Sequence, residues 1–262
     1  MASRAIDRSF NPRQAAIVQR IEEGGHATID DLVAAFDVTP QTIRRDLTLL
    51  ADAGLIARFH GGASPVNSTE NLSYQDRQIL NHGAKEGIAQ LVAQQIPDHA
   101  SLFINIGTTT ETIAQALLQH RGLQVITNNL HVAAILSPKE DFRVIVASGE
   151  VRARDGGIVG EATLDFIRQF KLDYGIIGIS GIEEDGALLD YDYREVRVAQ
   201  TIMEQSRQVL LAADHSKFGR RAMVRLGHIT QADVFVTDVP PPLAIVEQLT
   251  AAEVRLLIAG DA

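Results

Sequence analysis

The sequence contains no cysteine, which excludes disulfides and thiol-based metal or redox sites and fits the cytoplasm. It contains no apolar run approaching the roughly 20 residues that cross a bilayer. The opening stretch MASRAIDRSFNPRQ lacks the apolar core of a secretory signal. A cytoplasmic protein with no membrane partner is expected. Neither G-x-x-x-x-G-K-[ST] nor G-x-G-x-x-G occurs, so a nucleotide fold of those types is not expected. The eight histidines are scattered, no His or carboxylate cluster has metal-ligand spacing, and no nucleophile–base pair or internal repeat is visible. No metal, cofactor or catalytic residue is expected.

What remains is a chain of 262 residues, 45% hydrophobic and 22% charged. That is the composition of an ordinary globular protein that buries a core without staples. The length allows one large domain, or a small one plus a medium one. The formal net charge is −9, an unusual footprint for a nucleic-acid binder. The balance is uneven, however. Residues 1–62 carry seven Arg and Lys against eight Asp and Glu, so the deficit lies in the remainder. A near-neutral module makes few phosphate contacts per subunit, and affinity then has to come from paired subunits on repeated half-sites. A homo-oligomer, dimer or tetramer, is expected.

The stretch 27–46, ATIDDLVAAFDVTPQTIRRD, carries the sharpest local pattern. Thr28 is suited to cap a helix over 29–36, Asp30 and Asp31 suit its positive end, and Leu32, Val33 and Phe36 fall on one face. Asp37-Val38-Thr39 is the break. Thr39 caps a second helix with Pro40 at its first position. That helix buries Ile43, Leu47 and Leu50 and leaves Gln41, Thr42, Arg44, Arg45 and Thr48 on the open side, a composition that suits phosphates and base edges in a major groove. The alternative is an ordinary helical pair with a solvated Arg-Arg. Residues 12–23 form a supporting helix. After a stop at Gly54, residues 55–62 read as strand, turn and return, a small wing from which Arg58 and His60 reach DNA. The domain boundaries expected are 10–65 for this winged helix-turn-helix, 66–82 for a polar linker and the start of a connector helix, and 83–260 for the rest. The helical pattern over 74–95 reads as one continuous helix.

Beyond it, continuous apolar segments (SLFINI, LQVIT, FRVIVA, DYGIIGI, QVLLAA) alternate with helical patterns. This argues a mainly parallel α/β sheet covered on both faces, whose ligands sit past the C-terminal strand ends. Three loops stand there. Gly107-Thr108-Thr109-Thr110 opens a helix directly after a strand and suits a phosphate or carboxylate, with simple N-capping by a Thr as the alternative. Thr127-Asn128-Asn129 offers amides for hydroxyls, or a cap. Asp214-His215-Ser216-Lys217 offers a cation and an orienting carboxylate. The Gly-rich stretch 149–160, with Arg152 and Arg154, either closes over a ligand or is a structural turn. The polar run 190–195, DYDYRE, either carries catalytic carboxylates or is a helix entrance.

Taken together, Thr39-Pro40-Gln41-Thr42-Ile43-Arg44-Arg45-Asp46-Leu47, Leu-Ile-x-Arg-x-His-Gly-Gly-Ala at 55–63, Gly107-Thr108-Thr109, Thr127-Asn128-Asn129, Gly149-Glu150-Val151-Arg152, Gly178-Ile179-Ser180-Gly181 and Asp214 to Gly219 resemble the signatures of the DeoR family of bacterial repressors over nearly the whole chain. The resemblance implies a transcriptional repressor of operator DNA, released when a phosphorylated metabolite binds. The stretches 151–167, 214–219 and 240–242 are most like members that answer to glycerol 3-phosphate and control glycerol uptake and catabolism. Another sugar phosphate and another carbohydrate pathway is the alternative. The implied DNA contacts are Thr39, Gln41, Thr42, Arg44, Arg45, Arg58 and His60. The implied effector contacts are Gly107, Thr108, Thr109, Thr110, Asn128, Asn129, Arg152, Asp214 and Lys217. Asn105 stands where members often carry Asp, which removes a charge beside the loop. The second half also resembles the ribose-5-phosphate isomerase fold. The isomerase's acidic run would fall near 178–182, where this chain has no carboxylate until Glu183. That implies a binding site that has lost the chemistry rather than an active isomerase.

Overall fold

The computed structural model describes residues 10–24, 27–59, 61–65, 74–220 and 222–260. Chain contacts divide it into two compact units, Met1–Leu72 and Ser73–Ala262.

In the first unit, α1 (Pro12–Gly24), β1 (Ala27–Thr28), α2 (Ile29–Phe36) and α3 (Pro40–Asp52) precede the hairpin β2 (Ile56–Phe59) and β3 (Gly62–Pro65). Thr28 and Asp31 form a reciprocal capping box at α2, which satisfies two orphan amides at once. Asp37 ends the helix in the left-handed region at φ 49, a conformation Asp tolerates better than most residues. Thr39 accepts from Thr42 N and Pro40 sits in the first turn of α3. Ile17, Val18, Ile21, Leu32, Ile43, Leu47 and Leu50 close one small core. Two features go beyond the sequence pattern. β1 pairs antiparallel with β3, so the wing is three-stranded. Asp46 is buried, accepting from Arg13 Nε at 2.7 Å and Gln14 Nε2 at 2.8 Å, which ties α1 to α3. The Asp46 contact holds the Arg13 guanidinium above its ordinary pKa.

The second unit opens with α4 (Tyr74–Ile79) and α5 (His82–Gln94). The single helix expected over 74–95 is in fact broken. Asn81 adopts φ 52 with a buried side chain, and a left-handed residue cannot continue a right-handed helix. There follow β4 (Ser101–Ile104), α6 (Thr108–Leu117), β5 (Gln124–Thr127), α7 (Leu130–Leu136), β6 (Arg143–Val146), β7 (Glu150–Arg152), β8 (Gly157–Val159), α8 (Glu161–Ile167) and β9 (Leu172–Gly178). Next come β10 (Gly181–Ile182), β11 (Ala187–Asp190), α9 (Tyr193–Glu204), β12 (Ser206–Ala212), β13 (Val224–His228), β14 (Val234–Thr237), α10 (Leu243–Ala251) and β15 (Arg255–Ile258).

The main sheet runs β15-β14-β12-β9-β4-β5-β6, and every pairing within it is parallel. Alternate residues of each strand serve opposite cores. Leu102 and Ile104 of β4 face the cluster with Ile88, Val92 and Ile113, while Phe103 faces the cluster with Ile177, Val198 and Phe235. A strand buried on both sides reads as a continuous apolar run, which is why these strands stand out in the sequence. The chain winds outward from β4 in one direction to β6, then returns to the other side of β4 with β9. The strand order therefore reverses between β4 and β9, and the loops leaving these two strands diverge to open a crevice.

Two further sheets were not anticipated. β7 and β8 form a hairpin from the Gly-rich stretch. β10, β11 and β13 form a small antiparallel sheet, whose two- to five-residue strands are too short to show a period.

Candidate functional site

Each unit presents one candidate surface. On α3, Ile43, Asp46, Leu47 and Leu50 point inward, leaving Gln41, Arg44 and Arg45 exposed. Neither Arg44 nor Arg45 has a side-chain partner among the described residues. Thr39 serves as the cap, its hydroxyl 2.9 Å from Thr42 Oγ1. Thr48 Oγ1 donates to Arg44 O at 2.8 Å and accepts from Arg58 Nη1 at 2.6 Å. Arg58 therefore joins the wing strand β2 to the open face of α3, and its cation lies beside that face. His60 lies outside the described residues.

The crevice of the second unit lies between the loops that leave β4 and β9. One wall is the loop after β4. Gly107 takes φ 149 as the N-cap of α6, with no side-chain cap, so the first-turn amides of α6 are left for another acceptor. An anion there also meets the positive end of the helix dipole. Thr108 and Thr109 line the space, with Ile106 beneath. The second wall is Gly178-Ile179-Ser180, leaving β9. Lys217, Asp190, Glu195 and Arg77 complete it.

Lys217 belongs to a 3-10 turn (His215–Lys217) capped by Asp214. Burial lowers the Lys217 ammonium to about 8 against the opposing pull of Asp214. Burial alone would raise the Asp214 carboxyl, but Lys217 and donation by Ser216 and Asn81 hold it down at about 2. Asn81 Nδ2 reaches Asp214 Oδ1 at 2.8 Å, so the break between α4 and α5 braces the lysine turn. Asp190 is buried and accepts from Ser180 Oγ at 3.1 Å and Tyr191 N at 2.7 Å; burial raises its pKa. Glu195, 13% exposed at its side chain, is pushed to about 7, first by burial and then by the Asp190 charge.

Of the effector contacts expected from the sequence, the crevice brings Gly107, Thr108, Thr109 and Lys217 together, with Asp214 behind Lys217. The others have internal partners instead. Thr110 Oγ1 donates to the carbonyls of Asn105 and Gly107, each at 2.7 Å. Asn128 Nδ2 donates to Ile158 O at 3.1 Å, holding the β7–β8 hairpin. Asn129 caps α7 and donates to Glu111 Oε1 at 3.1 Å. Arg152 is buried at the centre of three carboxylates: both Asp155 oxygens at 2.8 Å, Asp192 at 2.8 Å and Glu195 at 2.6 Å. It holds Glu195 at the crevice edge, and these partners raise its own pKa despite burial. Asn105, 2% exposed, keeps a buried Oδ1 with no partner among the described residues.

The stretch 178–182 supplies no carboxylate, but β11 and α9 bring Asp190 and Glu195 of the run 190–195 to the crevice wall. Their run was visible as the densest polar stretch, but only the small antiparallel sheet folds it back over β9. Arg77 left no signal, since it lies on a short polar helix 30 residues before Gly107. Among the described residues there is no group of three or more His, Asp or Glu placed to hold a metal ion, and no helix long and apolar enough to cross a membrane.

Comparisons with known proteins cover both units. Residues 13–69 match the family model of the DeoR-like helix-turn-helix domain, and residues 80–239 match that of the DeoR C terminal sensor domain. The chain is 52% identical over 244 residues to a glycerol-3-phosphate regulon repressor of Escherichia coli (strain K12), spanning 93% of this chain and 97% of that one. It is 51% identical over 247 residues to a glycerol-3-phosphate regulon repressor of Haemophilus influenzae, spanning 94% and 96%. Among solved structures, ribose 5 phosphate isomerase A from Neisseria gonorrhoeae overlaps 56% of each chain at 14% identity and a TM-score of 0.38, too slight a likeness to transfer anything.

Proposed function

The chain belongs to the DeoR family, a DNA-binding transcriptional repressor rather than an enzyme, and from that premise we propose that glycerol 3-phosphate is its effector and glycerol-metabolism genes its targets. In this reading α3 enters the major groove of the operator with Gln41, Thr42, Arg44 and Arg45, Thr39 fixes the helix start, and Arg58 and His60 reach the backbone from the wing. The phosphate seats on the first-turn amides of α6, between the Gly107–Thr109 loop and Lys217. The glycerol hydroxyls face Ser180, Asp190 and Glu195, whose oxygens are the natural partners of small polyols. The protein works in the bacterial cytoplasm as a homo-oligomer, since a near-neutral reading unit needs two half-sites for tight binding. Occupancy of the crevice shifts the oligomer toward a state of lower operator affinity. A tenfold loss needs only about 1.4 kcal/mol of coupling.

The observation that carries this reading is the facing pair of anion donors, the open helix start at Gly107 and the buried Lys217, at the point where the strand order reverses. A thermal-shift screen over small phosphates tests it. Glycerol 3-phosphate is expected to raise the melting temperature, while glycerol and inorganic phosphate have smaller effects. Stabilisation by a different sugar phosphate and not by glycerol 3-phosphate overturns the effector assignment and favours a repressor of another carbohydrate pathway.

A further inference from the structure

We propose that Arg77 is an additional ligand-contacting and specificity-determining residue of the crevice, and the one through which a bound anion acts on α4. The proposal rests on the effector reading above and goes beyond it. Arg77 lines the same space as Gly107, Thr108 and Lys217, yet its guanidinium is poorly used. Among the described residues it has one ion pair, Nη2 to Asp155 Oδ2, 3.5 Å long. Asp155 already gives both oxygens to Arg152 at 2.8 Å, so it has little left for a second guanidinium. Arg77 Nε is buried and has no hydrogen-bond partner among the described residues, and the side chain is only 15% exposed. An always-charged planar fork, mostly buried and short of acceptors, stands beside a helix start short of anions. A phosphate on the Gly107–Thr109 loop supplies the missing oxygens, and bidentate capture is what the guanidinium geometry favours.

The backbone of Arg77 is already joined to that loop. Its carbonyl accepts from Thr108 Oγ1 at 3.2 Å and from Lys85 Nζ. One turn earlier, Tyr74 donates to Glu111 of α6 at 2.8 Å and stacks on His131 with ring centroids 4.9 Å apart. α4 therefore rests on α6 and α7 with its cationic side chain turned to the crevice. In the sequence it directly follows the segment 66–73 that leads from the DNA-reading unit. An anion drawn between Gly107 and Arg77 is positioned to set the placement of α4.

Arg77→Gln and Arg77→Lys in the full-length protein, with calorimetric titration of glycerol 3-phosphate and of glycerol, test this. The wild type first establishes that glycerol 3-phosphate binds; if it does not, the effector reading fails and not the role of Arg77. Given binding, Arg77→Gln is expected to weaken glycerol 3-phosphate at least 30-fold while changing glycerol affinity less than threefold. Arg77→Lys is expected to recover part of the loss, because the charge returns without the fork. A parallel loss for both ligands assigns Arg77 a merely structural role and overturns the proposal, as does glycerol 3-phosphate affinity within threefold of wild type. For the link to α4, the operator complex of Arg77→Gln is expected to persist at a glycerol 3-phosphate concentration that saturates its crevice. Release equal to wild type at equal occupancy overturns that part.

Discussion

Arg152 Nη2 stands 2.6 Å from Glu195 Oε2, and the same guanidinium holds Asp155 and Asp192. One guanidinium therefore makes the shortest contact to each of three mostly buried carboxylates, with side-chain exposures of 13%, 2% and 17%, and Arg77, Arg154 and Arg194 stand farther off. The residue does its work beneath the crevice, fixing the β7–β8 hairpin to the start of α9.

Removing that cation takes the nearest positive charge from each of these carboxylates. Arg152→Met is expected to cost about 3–5 kcal/mol of stability at pH 7.5. The cost shrinks toward pH 5.5, and the sign follows from Glu195. Its folded-state pKa is raised to about 7, so its contribution is fully present below the ordinary carboxylate range and is lost as pH rises through about 7. Urea denaturation of wild type and variant at the two pH values measures the difference. A loss that grows on acidification contradicts the assignment.

On the proposed reading, Lys217 is expected to give anion binding in the crevice an alkaline limit. Its ammonium is lowered to about 8 in the free protein, and a phosphate binds the protonated form. Affinity for glycerol 3-phosphate is expected to hold between about pH 7 and 8 and to weaken by up to tenfold per unit above that. Below about pH 6 the phosphate itself gains a proton. Lys217→Met is expected to bind more weakly and to lose the alkaline limb. Titrations across this range check both, and an unchanged limb in the variant shows that another group is responsible.

Much of this arrangement was legible before the structure, and the reasons are local. Thr28, Thr39 and Pro40 carry their own capping chemistry, so the ends of α2 and α3 follow from neighbouring residues. β4, β9 and β12 are buried on both faces and announce themselves as apolar runs. Asn128 and Asn129 show the limit of such reasoning, because an Asx residue after a strand suits a helix cap as well as a ligand, and here capping and hairpin contacts take them. Glu195 and Arg77 show it further. Their places on the crevice depend on a short antiparallel sheet and on a helix break at Asn81, both decided by tertiary contacts rather than by any repeating pattern.

Asp46 is expected to matter to the reading unit without touching DNA. It is 3% exposed and accepts from α1 through Arg13 and Gln14. Asp46→Ala leaves the buried Gln14 amide unmet and removes the partner of the partly exposed Arg13, and is expected to cost that unit about 1–3 kcal/mol. Scanning calorimetry is expected to show an earlier first transition, with stabilisation by glycerol 3-phosphate intact in the second. An unaltered first transition contradicts the role.

Arg45, exposed on α3 with no side-chain partner among the described residues, is expected to contribute through DNA alone. Arg45→Ala is expected to weaken operator binding at least tenfold and, where the contact is to phosphate, to lower the slope of log affinity against log salt by about 1. The effector-induced thermal shift stays at its wild-type size. Operator affinity equal to wild type shows that α3 does not enter the groove as assigned.

On the proposed reading an anion in the crevice governs operator affinity. Fluorescence anisotropy on an operator selected from random DNA by the protein itself, with and without saturating glycerol 3-phosphate, tests it most directly. The account predicts that the dissociation constant rises at least tenfold, corresponding to about 1.4 kcal/mol of coupling. An operator affinity that glycerol 3-phosphate leaves unchanged, while the same compound raises the melting temperature, would contradict it.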